Sequence, residues 1–478
     1  MTKNVLLINP YTTSPDGRNN RYIPLGILYI ASSTLKSGYN VKFKDLRNEL
    51  LDKEKDEINS YFDNDFIKFL NKSKPDIVGI SILFAMRFEG AIKIAKIVRK
   101  IFKDVPIVFG GPHSTLFYKQ ILEEYNYIDY IILGEGDQSF IKLLDAHFNN
   151  KNLLSKIDGI AYRKKGKVII NPKTTYINDL DSIPFPAYEL INPKDYYYDT
   201  SSWHNPKGVP IDTNFSIITS RGCPRRCTYC TMKDFHGRKY RERSAKNLVD
   251  EIQYLYDKHN CRYVSFVDDN MTISKKRILE IMHDICERKL EIQFDTSQGV
   301  EINTLDKEML DAMIKAGYIR VTVGIESGSD YIRNTIFKKG LKNDTIYDFF
   351  KMAKKYKNLS FVGYFICGCP QETKETLNDT FEMVKRLPLA EISLSVMIPV
   401  YGTEMFNYCL KEGLLDEYVI KNLHKISYSY RDGYFIKPYN LDISYIKDFK
   451  KMILSYVEER KKDIIKVGNE KYFNDPRD

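Results

Sequence analysis

Short β-rich runs alternate with helical patterns along most of the sequence, and the alternation occurs in two series. Such alternation is typical of parallel sheets whose helices cover both faces. In the first series the predicted strands are 5–8, 41–44, 77–81, 107–109 and 130–133. In the second series they are 215–219, 263–267, 292–296, 318–324, 361–366 and 392–398. The pattern therefore predicts an α/β chain with two successive sheet domains.

The predicted architecture is a Rossmann-like doubly wound domain, then a partial (β/α)6 TIM barrel and a small helical C-terminal segment. We assign residues 1–150 to the first domain, 151–212 to a hairpin and linker, 213–414 to the barrel and 415–478 to the C-terminal segment. The hairpin is predicted over 158–171, where Lys-Lys-Gly separates two β-rich arms. After the hairpin in the sequence, Pro184 and Pro186 exclude a helix or a central strand, so this stretch is interpreted as a linker.

The composition is globular, with 43% hydrophobic and 28% charged residues among 478. No apolar run approaches the roughly 20 residues of a membrane span, and the first apolar run is too short for a signal peptide. We therefore expect a cytoplasmic protein without a membrane partner. The net charge of +10 is spread along the chain, which indicates solvated surface more than a nucleic-acid site. An anionic substrate or partner stays open.

Three of the eight cysteines, Cys223, Cys227 and Cys230, lie within eight residues, directly after the first strand of the second series. Clustered thiols in a reducing compartment indicate a metal site rather than a disulfide scaffold. Three thiolates can hold three irons of a four-iron cubane and leave the fourth iron open to a small chelating molecule. The alternative is a structural zinc site with His236 as fourth ligand, although such sites normally use paired C-x2-C knuckles.

The cysteine triple resembles the signature of the radical S-adenosylmethionine (SAM) superfamily, in which an aromatic residue also precedes the third cysteine. The resemblance continues along the barrel in the stretches 237–244, 266–270, 324–328, 363–373 and 399–404. It implies that the three cysteines hold a [4Fe–4S] cluster whose fourth iron binds SAM. The SAM contacts that it implies are Tyr229, Asp268, Asp269, Glu326, Ser327, Ile366 and Gly368.

The first domain resembles the N-terminal cobalamin (B12)-binding domain of one subgroup, the class B radical SAM methyltransferases. The stretches 24–31, 75–81, 109–113 and 134–137 carry this resemblance. The cobalamin contacts that it implies are Leu25, Gly26, Ser81, Leu83, Phe84, Gly110, Gly111, His113, Gly134 and Glu135. The chain lacks the D-x-H-x-x-G sequence of other cobalamin proteins, so the loop 82–87 would present apolar residues to the lower side of the cobalt.

The resemblance implies a cobalamin-dependent radical SAM methyltransferase. It would act on an unactivated carbon of a small-molecule or peptide substrate through a 5′-deoxyadenosyl radical and methylcobalamin. It would also need a low-potential electron donor such as flavodoxin or ferredoxin. Three alternatives stay open: a rearrangement or cyclisation with the same cofactors, a tRNA methylthiotransferase, and a zinc-stabilised binding protein. The methylthiotransferase is disfavoured because residues 1–222 contain no cysteine for further clusters.

Two further groups of residues each allow two interpretations. Cys367 and Cys369 are interpreted as small core or pocket residues, with a redox pair or cluster ligands as the alternative. The aromatic group consists of Tyr196, Tyr197, Tyr198 and Trp203. It is interpreted as interface packing, with the wall of a substrate pocket as the alternative.

Overall fold

The computed structural model of the chain describes residues 2–12, 21–149, 151–196, 214–426 and 433–467. Tyr197, Tyr198 and Trp203 lie outside the described residues. The chain divides into two compact units. The first unit comprises Met1–Asp199, Lys233–Gly237 and Asn422–Ser429, and the second comprises Thr200–Met232, Arg238–Lys421 and Tyr430–Asp478. Among the described helices, none is long and apolar enough to cross a membrane.

The first unit is built on a sheet whose described strands follow the order β2-β1-β3-β4-β5-β6-β7. The strands are β1 (Asn4–Asn9), β2 (Asn40–Asp45), β3 (Ile77–Ser81), β4 (Ile107–Gly110), β5 (Tyr130–Ile132), β6 (Ile160–Lys164) and β7 (Lys167–Asn171). Strands β1 to β5 pair in parallel. The strand order reverses between β1 and β3, and ligands of doubly wound sheets bind beside the carboxyl ends of the strands at such a point.

Helices connect the parallel strands and bury their apolar faces against the sheet. They are α1 (Leu25–Lys36), α2 (Leu46–Leu50), α3 (Lys55–Asp63), α4 (Asp65–Ser73), α5 (Phe88–Ile101), α6 (Pro112–Leu116), α7 (Tyr118–Glu124) and α8 (Ser139–Phe148). Phe140 and Leu143 of α8 share one buried cluster with Val5, Ile77 and Val108 of the strands. The predicted Rossmann-like domain is confirmed.

The predicted hairpin is also present, but it belongs to the first sheet. Lys165 and Gly166 both have positive φ, 50° and 76°, as a two-residue turn between β6 and β7 requires. Strand β6 pairs antiparallel with β5, with Tyr162 opposite Tyr130. The hairpin therefore forms one edge of the first sheet.

The second unit contains a sheet in the order β15-β14-β13-β12-β11-β8, all parallel. Its strands are β8 (Asn214–Ile217), β11 (Tyr263–Phe266), β12 (Gln293–Val300), β13 (Tyr318–Glu326), β14 (Ser360–Cys367) and β15 (Glu391–Val396), while β9 (Ser220–Arg221) and β10 (Arg241–Glu242) form a separate pair. Strands β8 and β15 are the two edges, so the barrel is partial, as predicted. All carboxyl ends of its strands meet at one edge of the sheet, where ligands of barrel enzymes bind.

The helices of the second unit follow its strands and continue beyond them. They are α9 (Met232–Phe235, shared with the first unit), α10 (Ala245–His259), α11 (Lys275–Glu287), α12 (Lys307–Ala316), α13 (Asn343–Ala353), α14 (Lys374–Arg386), α15 (Glu404–Lys411), α16 (Glu417–Asn422, whose last residue belongs to the first unit) and α17 (Ile443–Val467). A one-turn π-helix, Tyr331–Ile336, follows β13. The helices α16 and α17 confirm the predicted helical C-terminal segment.

Candidate functional site

The three clustered cysteines lie on the loop between β9 and α9, at the carboxyl edge of the barrel sheet. Cys223, Cys227 and Cys230 are free thiols and each is partly exposed. Gly222 has a φ of 87°, which lets the chain turn directly before the first cysteine. Its N–H donates to Asp269 Oδ2 at 3.0 Å, so the carboxylate that follows β11 holds the start of the loop.

Thr228 fixes the middle of this loop to two other elements. Its N–H donates to Phe337 O at 3.1 Å, and its hydroxyl donates to Ile336 O at 2.9 Å. Its carbonyl accepts from the N–H of Met405, in the first turn of α15, at 2.9 Å. Because Thr228 follows Cys227 directly, these bonds position the thiols relative to the end of the π-helix.

The electrostatics of the loop suit a bound cation. Burial raises the pKa of Cys230 to about 12, and the neighbouring Cys227, Asp269 and Cys223 raise it further. Burial also raises the pKa of Cys223 and Cys227. Such thiols hold their protons near neutral pH until a metal displaces them.

The spacing of these side chains also bears on the kind of metal. Among the described residues, no three His, Cys, Asp or Glu side chains converge on one metal ion. In an iron–sulfur cubane each thiolate binds its own iron, so the thiols need not converge on one ion. Three free thiols on one loop are chemically suited to that role, and the alternative zinc site with His236 receives no support from the described residues.

A buried ion pair lies beside the cysteine loop. Glu326 ends β13 with a φ of 71°, which is rare for a residue other than glycine. Its Oε1 accepts from Lys339 Nζ at 2.9 Å, and Tyr229 also bonds to this carboxylate. Burial opposes the charge of Lys339, but Glu326 and Cys227 outweigh it and raise the pKa of the ammonium. A Cβ on Gly324 would lie 2.8 Å from both charged groups, which explains the glycine there.

Lys339 and Thr228 were not among the predicted site residues. Lys339 stands 13 positions after Glu326, and the π-helix between them brings the two side chains together. No local spacing in the sequence signals this pair. Thr228 lies inside the cysteine motif, but the carbonyls that it binds are 108 and 109 positions away.

Asp268 and Ser327, two predicted SAM contacts, hold the walls of this region through hydrogen bonds. Asp268 Oδ1 accepts from Thr219 N at 3.0 Å, Thr219 Oγ1 at 2.8 Å and Ser220 Oγ at 2.5 Å. Ser327 is fully buried, and its hydroxyl lies 3.2 Å from Thr380 Oγ1. Both side chains therefore turn toward protein partners.

Strand β14 supplies the remaining predicted SAM contacts. Ile366 is half-buried in this strand, and Gly368 follows it with a φ of 85°. A Cβ on Gly368 would lie 3.3 Å from Val396 Cγ1, so a larger residue would crowd β15. The Gly368 N–H donates to the buried carboxyl group of Glu372.

The first unit carries a second candidate site at the carboxyl ends of β3 and β4. Leu83 and Phe84 are 42% and 44% exposed, although both are large and apolar. The loop that carries them is fixed because Ile82 N donates to Gly110 O at 2.8 Å and Ile82 O accepts from His113 N at 3.1 Å. An exposed apolar loop at a strand-order reversal fits a flat macrocycle.

Two of the glycines beside this loop leave room for close approach. A Cβ on Gly26 or Gly110 would meet no atom within 4 Å. Gly111 has a φ of 88°, and a Cβ there would lie 2.8 Å from Ile82 O. Gly134 also has a positive φ, 64°, and Ser81 is partly buried at the end of β3.

Three predicted cobalamin contacts prove to be buried. His113 is 4% exposed between Phe88 and Phe117, whose ring centroids lie 5.0 and 4.9 Å away. Burial lowers the pKa of its imidazole to about 3, so it is neutral. Leu25 and Glu135 are 6% and 5% exposed. Helix α6 therefore directs the His113 ring into the core, and these three side chains present little surface to a ligand.

Comparisons with known proteins agree with both candidate sites. The model of the radical SAM superfamily matches residues 217–384, and that of the B12 binding domain matches residues 18–144. An uncharacterized methyltransferase of Pyrococcus horikoshii is 32% identical over 413 residues, which cover 86% of this chain and 84% of the relative. The chain belongs to the cobalamin-binding radical SAM family. It is a radical SAM enzyme, and its cofactors are a [4Fe–4S] cluster, SAM and cobalamin.

A further relative and a solved structure are also similar to this chain. The cytidylyl-2-hydroxyethylphosphonate methyltransferase of Streptomyces wedmorensis is 29% identical over 89% of this chain and 84% of its own length. The solved radical SAM methyltransferase TsrM from Kitasatospora setae, with cobalamin and a [4Fe–4S] cluster bound, matches with a TM-score of 0.65 at 19% identity, over 86% of this chain and 75% of that chain. At this low identity the similarity to TsrM supports the fold of this chain and nothing further.

Proposed function

We propose that the chain is a cobalamin-dependent methyltransferase that acts on an unactivated carbon of a small-molecule or peptide substrate. The observation that carries the proposal is the cysteine loop fixed beside the Glu326–Lys339 pair, in a chain that also presents the exposed apolar loop of a cobalamin-type domain. When bound, the cluster and SAM supply a carbon-centred radical, and cobalamin supplies the methyl group. The protein must bind and orient these groups and exclude water and oxygen.

In this proposal Cys223, Cys227 and Cys230 each bind one iron. The methionine part of SAM carries an amino group and a carboxylate, and Glu326 and Lys339 would offer the complementary charges beside the cysteine loop. A buried ion pair that must part for a ligand is a strong anchor only if the ligand replaces both partners, as the amino group and carboxylate of SAM would.

The other predicted SAM residues are assigned either to a part of SAM or to positioning, according to what their side chains contact. We assign Tyr229 and Asp269 to the cluster side of SAM, and Ile366 and Gly368 to its adenine. Asp268 and Ser327 act as positioning residues, since Asp268 Oδ1 accepts from Thr219 and Ser220 and the Ser327 hydroxyl lies beside Thr380 Oγ1. Among the described residues Asp268 Oδ2 has no hydrogen-bond partner, so this oxygen is free to face SAM.

Cobalamin is assigned to the first unit. Leu83 and Phe84 would contact the lower face of the corrin. The unoccupied space beside Gly26 and Gly110 would accommodate the outer substituents of the ring. Gly111 and Gly134 provide turns that bring the backbone close. We place the reaction in the reducing cytoplasm, with a flavodoxin- or ferredoxin-type protein as electron donor.

The test uses anaerobically reconstituted protein loaded with cobalamin, a low-potential reductant and SAM with a deuterated methyl group. We expect deuterated methyl on the bound corrinoid, S-adenosylhomocysteine in equal amount, and 5′-deoxyadenosine. A Cys227→Ala variant serves as control and should yield no 5′-deoxyadenosine. Formation of 5′-deoxyadenosine without any S-adenosylhomocysteine would contradict methyl transfer and favour a rearrangement or cyclisation.

A further inference from the structure

Exposed cations surround the cysteine loop on the second unit. Arg226 lies inside the loop, directly before Cys227, and is exposed. Arg238 is also exposed and donates from Nη1 to Arg225 O at 2.5 Å, which places it against the same loop. Lys338 and Lys342 are exposed on the segment after the π-helix. We call Arg226, Arg238, Lys338 and Lys342 the basic rim.

The rim is held against the loop by several contacts. Thr228 binds the carbonyls of Ile336 and Phe337, directly before Lys338. A Cβ on Gly340 would lie 3.8 Å from Arg225 Nη1, so the segment leading to Lys342 passes beside the loop as well. The rim and the cysteines therefore share one region of the surface, where the three thiols are partly exposed.

Three carboxylates around the loop are paired with cations. Glu301 pairs with Arg225 at 2.5 Å, Glu326 pairs with Lys339 at 2.9 Å, and Glu404 pairs with Lys338. Within the described parts of the chain, Arg226, Arg238 and Lys342 form no ion pair. At these three residues the rim therefore presents positive charge that no described carboxylate pairs with, while Lys338 is paired with Glu404.

We propose that the basic rim is the docking surface for an acidic one-electron carrier protein, such as a flavodoxin, that reduces the cluster. This inference rests on the proposed function, which requires one electron at the cluster for each SAM cleaved. The carrier is oxidised by one electron and the cluster is reduced by one electron. Complementary charge around the point of transfer raises the rate of productive encounter and aligns the partners.

The experiment compares two reductants on the reconstituted holoenzyme. A photoreduced acidic flavodoxin requires docking, whereas dithionite, a small molecule, does not. The variant Arg226→Glu/Lys342→Glu is compared with Lys258→Glu/Lys315→Glu, which makes the same charge change at the carboxyl-terminal ends of α10 and α12. The measured quantity is the rate of 5′-deoxyadenosine formation from SAM.

We expect the rim variant to lower the flavodoxin-driven rate about 10-fold or more at low salt. Its dithionite-driven rate and both rates of the control variant should match the wild type. Added salt should slow the wild-type flavodoxin reaction and affect the rim variant less. An unchanged flavodoxin-driven rate, or an equal loss with both reductants, would overturn the proposal. A wild-type enzyme that cleaves no SAM with either reductant would instead contradict the proposed function.

Discussion

At the scale of single residues, the buried carboxyl group of Glu372 has an unusually high pKa. Its side chain is fully buried beside Cys367 and Cys369, and burial raises the pKa of its carboxyl group to about 8. Hydrogen bonds from the N–H groups of Gly368 and Cys369 oppose this rise without cancelling it. The folded protein therefore holds a proton on Glu372 that the unfolded chain releases above its ordinary pKa of 4.5.

This proton makes stability depend on pH with a definite sign. Between the unfolded pKa of 4.5 and the folded pKa of about 8, the unfolding free energy should fall as pH rises, and above that range Glu372 contributes no further slope. Glu372→Gln keeps the acceptor for Gly368 but cannot titrate, so over this window its unfolding free energy should fall less than that of the wild type, by about 5 kcal/mol at roughly 1.4 kcal/mol per pKa unit. Urea unfolding from about pH 5 to pH 9 measures both proteins. Parallel pH profiles would show that Glu372 is ionised throughout.

Lys339 gives a second prediction at this scale. Replacing it by Met leaves the Glu326 carboxylate buried without its cation and removes the proposed anchor for the SAM carboxylate. We expect Lys339→Met to weaken SAM binding roughly 10- to 100-fold, with the iron content unchanged. Equilibrium dialysis with the oxidised enzyme measures binding without turnover.

Lys339→Arg provides the matched control because it keeps the charge in a different shape. It should retain more affinity than Lys339→Met. If both variants bind SAM as tightly as the wild type, the Glu326–Lys339 pair is structural only.

Site residues that belong to a short sequence motif could be predicted from the sequence. Contacts between residues far apart in the sequence could not. The cysteines share one short loop, and Glu326 stands out as a charge that ends an apolar strand. The hydrogen bonds of Asp268 to Thr219 and Ser220 were not predicted, because these partners lie 49 and 48 positions away and meet it only through the pairing of β8 with β11. The burial of His113 was not predicted, because no local pattern reveals that α6 turns its ring between Phe88 and Phe117.

At the scale of elements, the π-helix Tyr331–Ile336 links the cysteine loop to the ion pair. Arg333 is fully buried and fixes this turn by donating to Leu341 O at 2.5 Å and Ser327 O at 2.6 Å. The turn then presents two carbonyls to Thr228. Strands and helices followed from their periodicity, but the extra residue of a π-turn leaves no such pattern in the sequence.

The Thr228 hydroxyl tests this link. Thr228→Val keeps the size and the backbone bonds but leaves Ile336 O without its donor, at a cost of about 1–3 kcal/mol. We expect the cluster to be lost several-fold faster during anaerobic chelation, followed by its visible absorbance. Thr228→Ser restores the hydroxyl and should restore most of the lifetime. Equal lifetimes for the valine and serine variants would contradict a role for this bond.

At the scale of the whole molecule, the two cofactor sites are built from separate sets of residues. Every side chain assigned to the cluster and SAM belongs to the second unit, and every side chain assigned to cobalamin belongs to the first. A protein that has lost one cofactor should therefore still bind the other, whereas methyl transfer requires both.

Two variants separate these sites. Cys230→Ala should reduce iron per chain and abolish 5′-deoxyadenosine formation while cobalt content stays at the wild-type value. Phe84→Asp places a carboxylate in the proposed corrin contact, where its desolvation costs about 1–3 kcal/mol. It should weaken cobalamin binding roughly tenfold and leave the iron unchanged, and Phe84→Leu should bind nearly normally. Metal analysis of reconstituted, desalted protein measures both contents. If either variant lost both metals, the two sites would have to be coupled, and the assignment of each cofactor to one unit would fail.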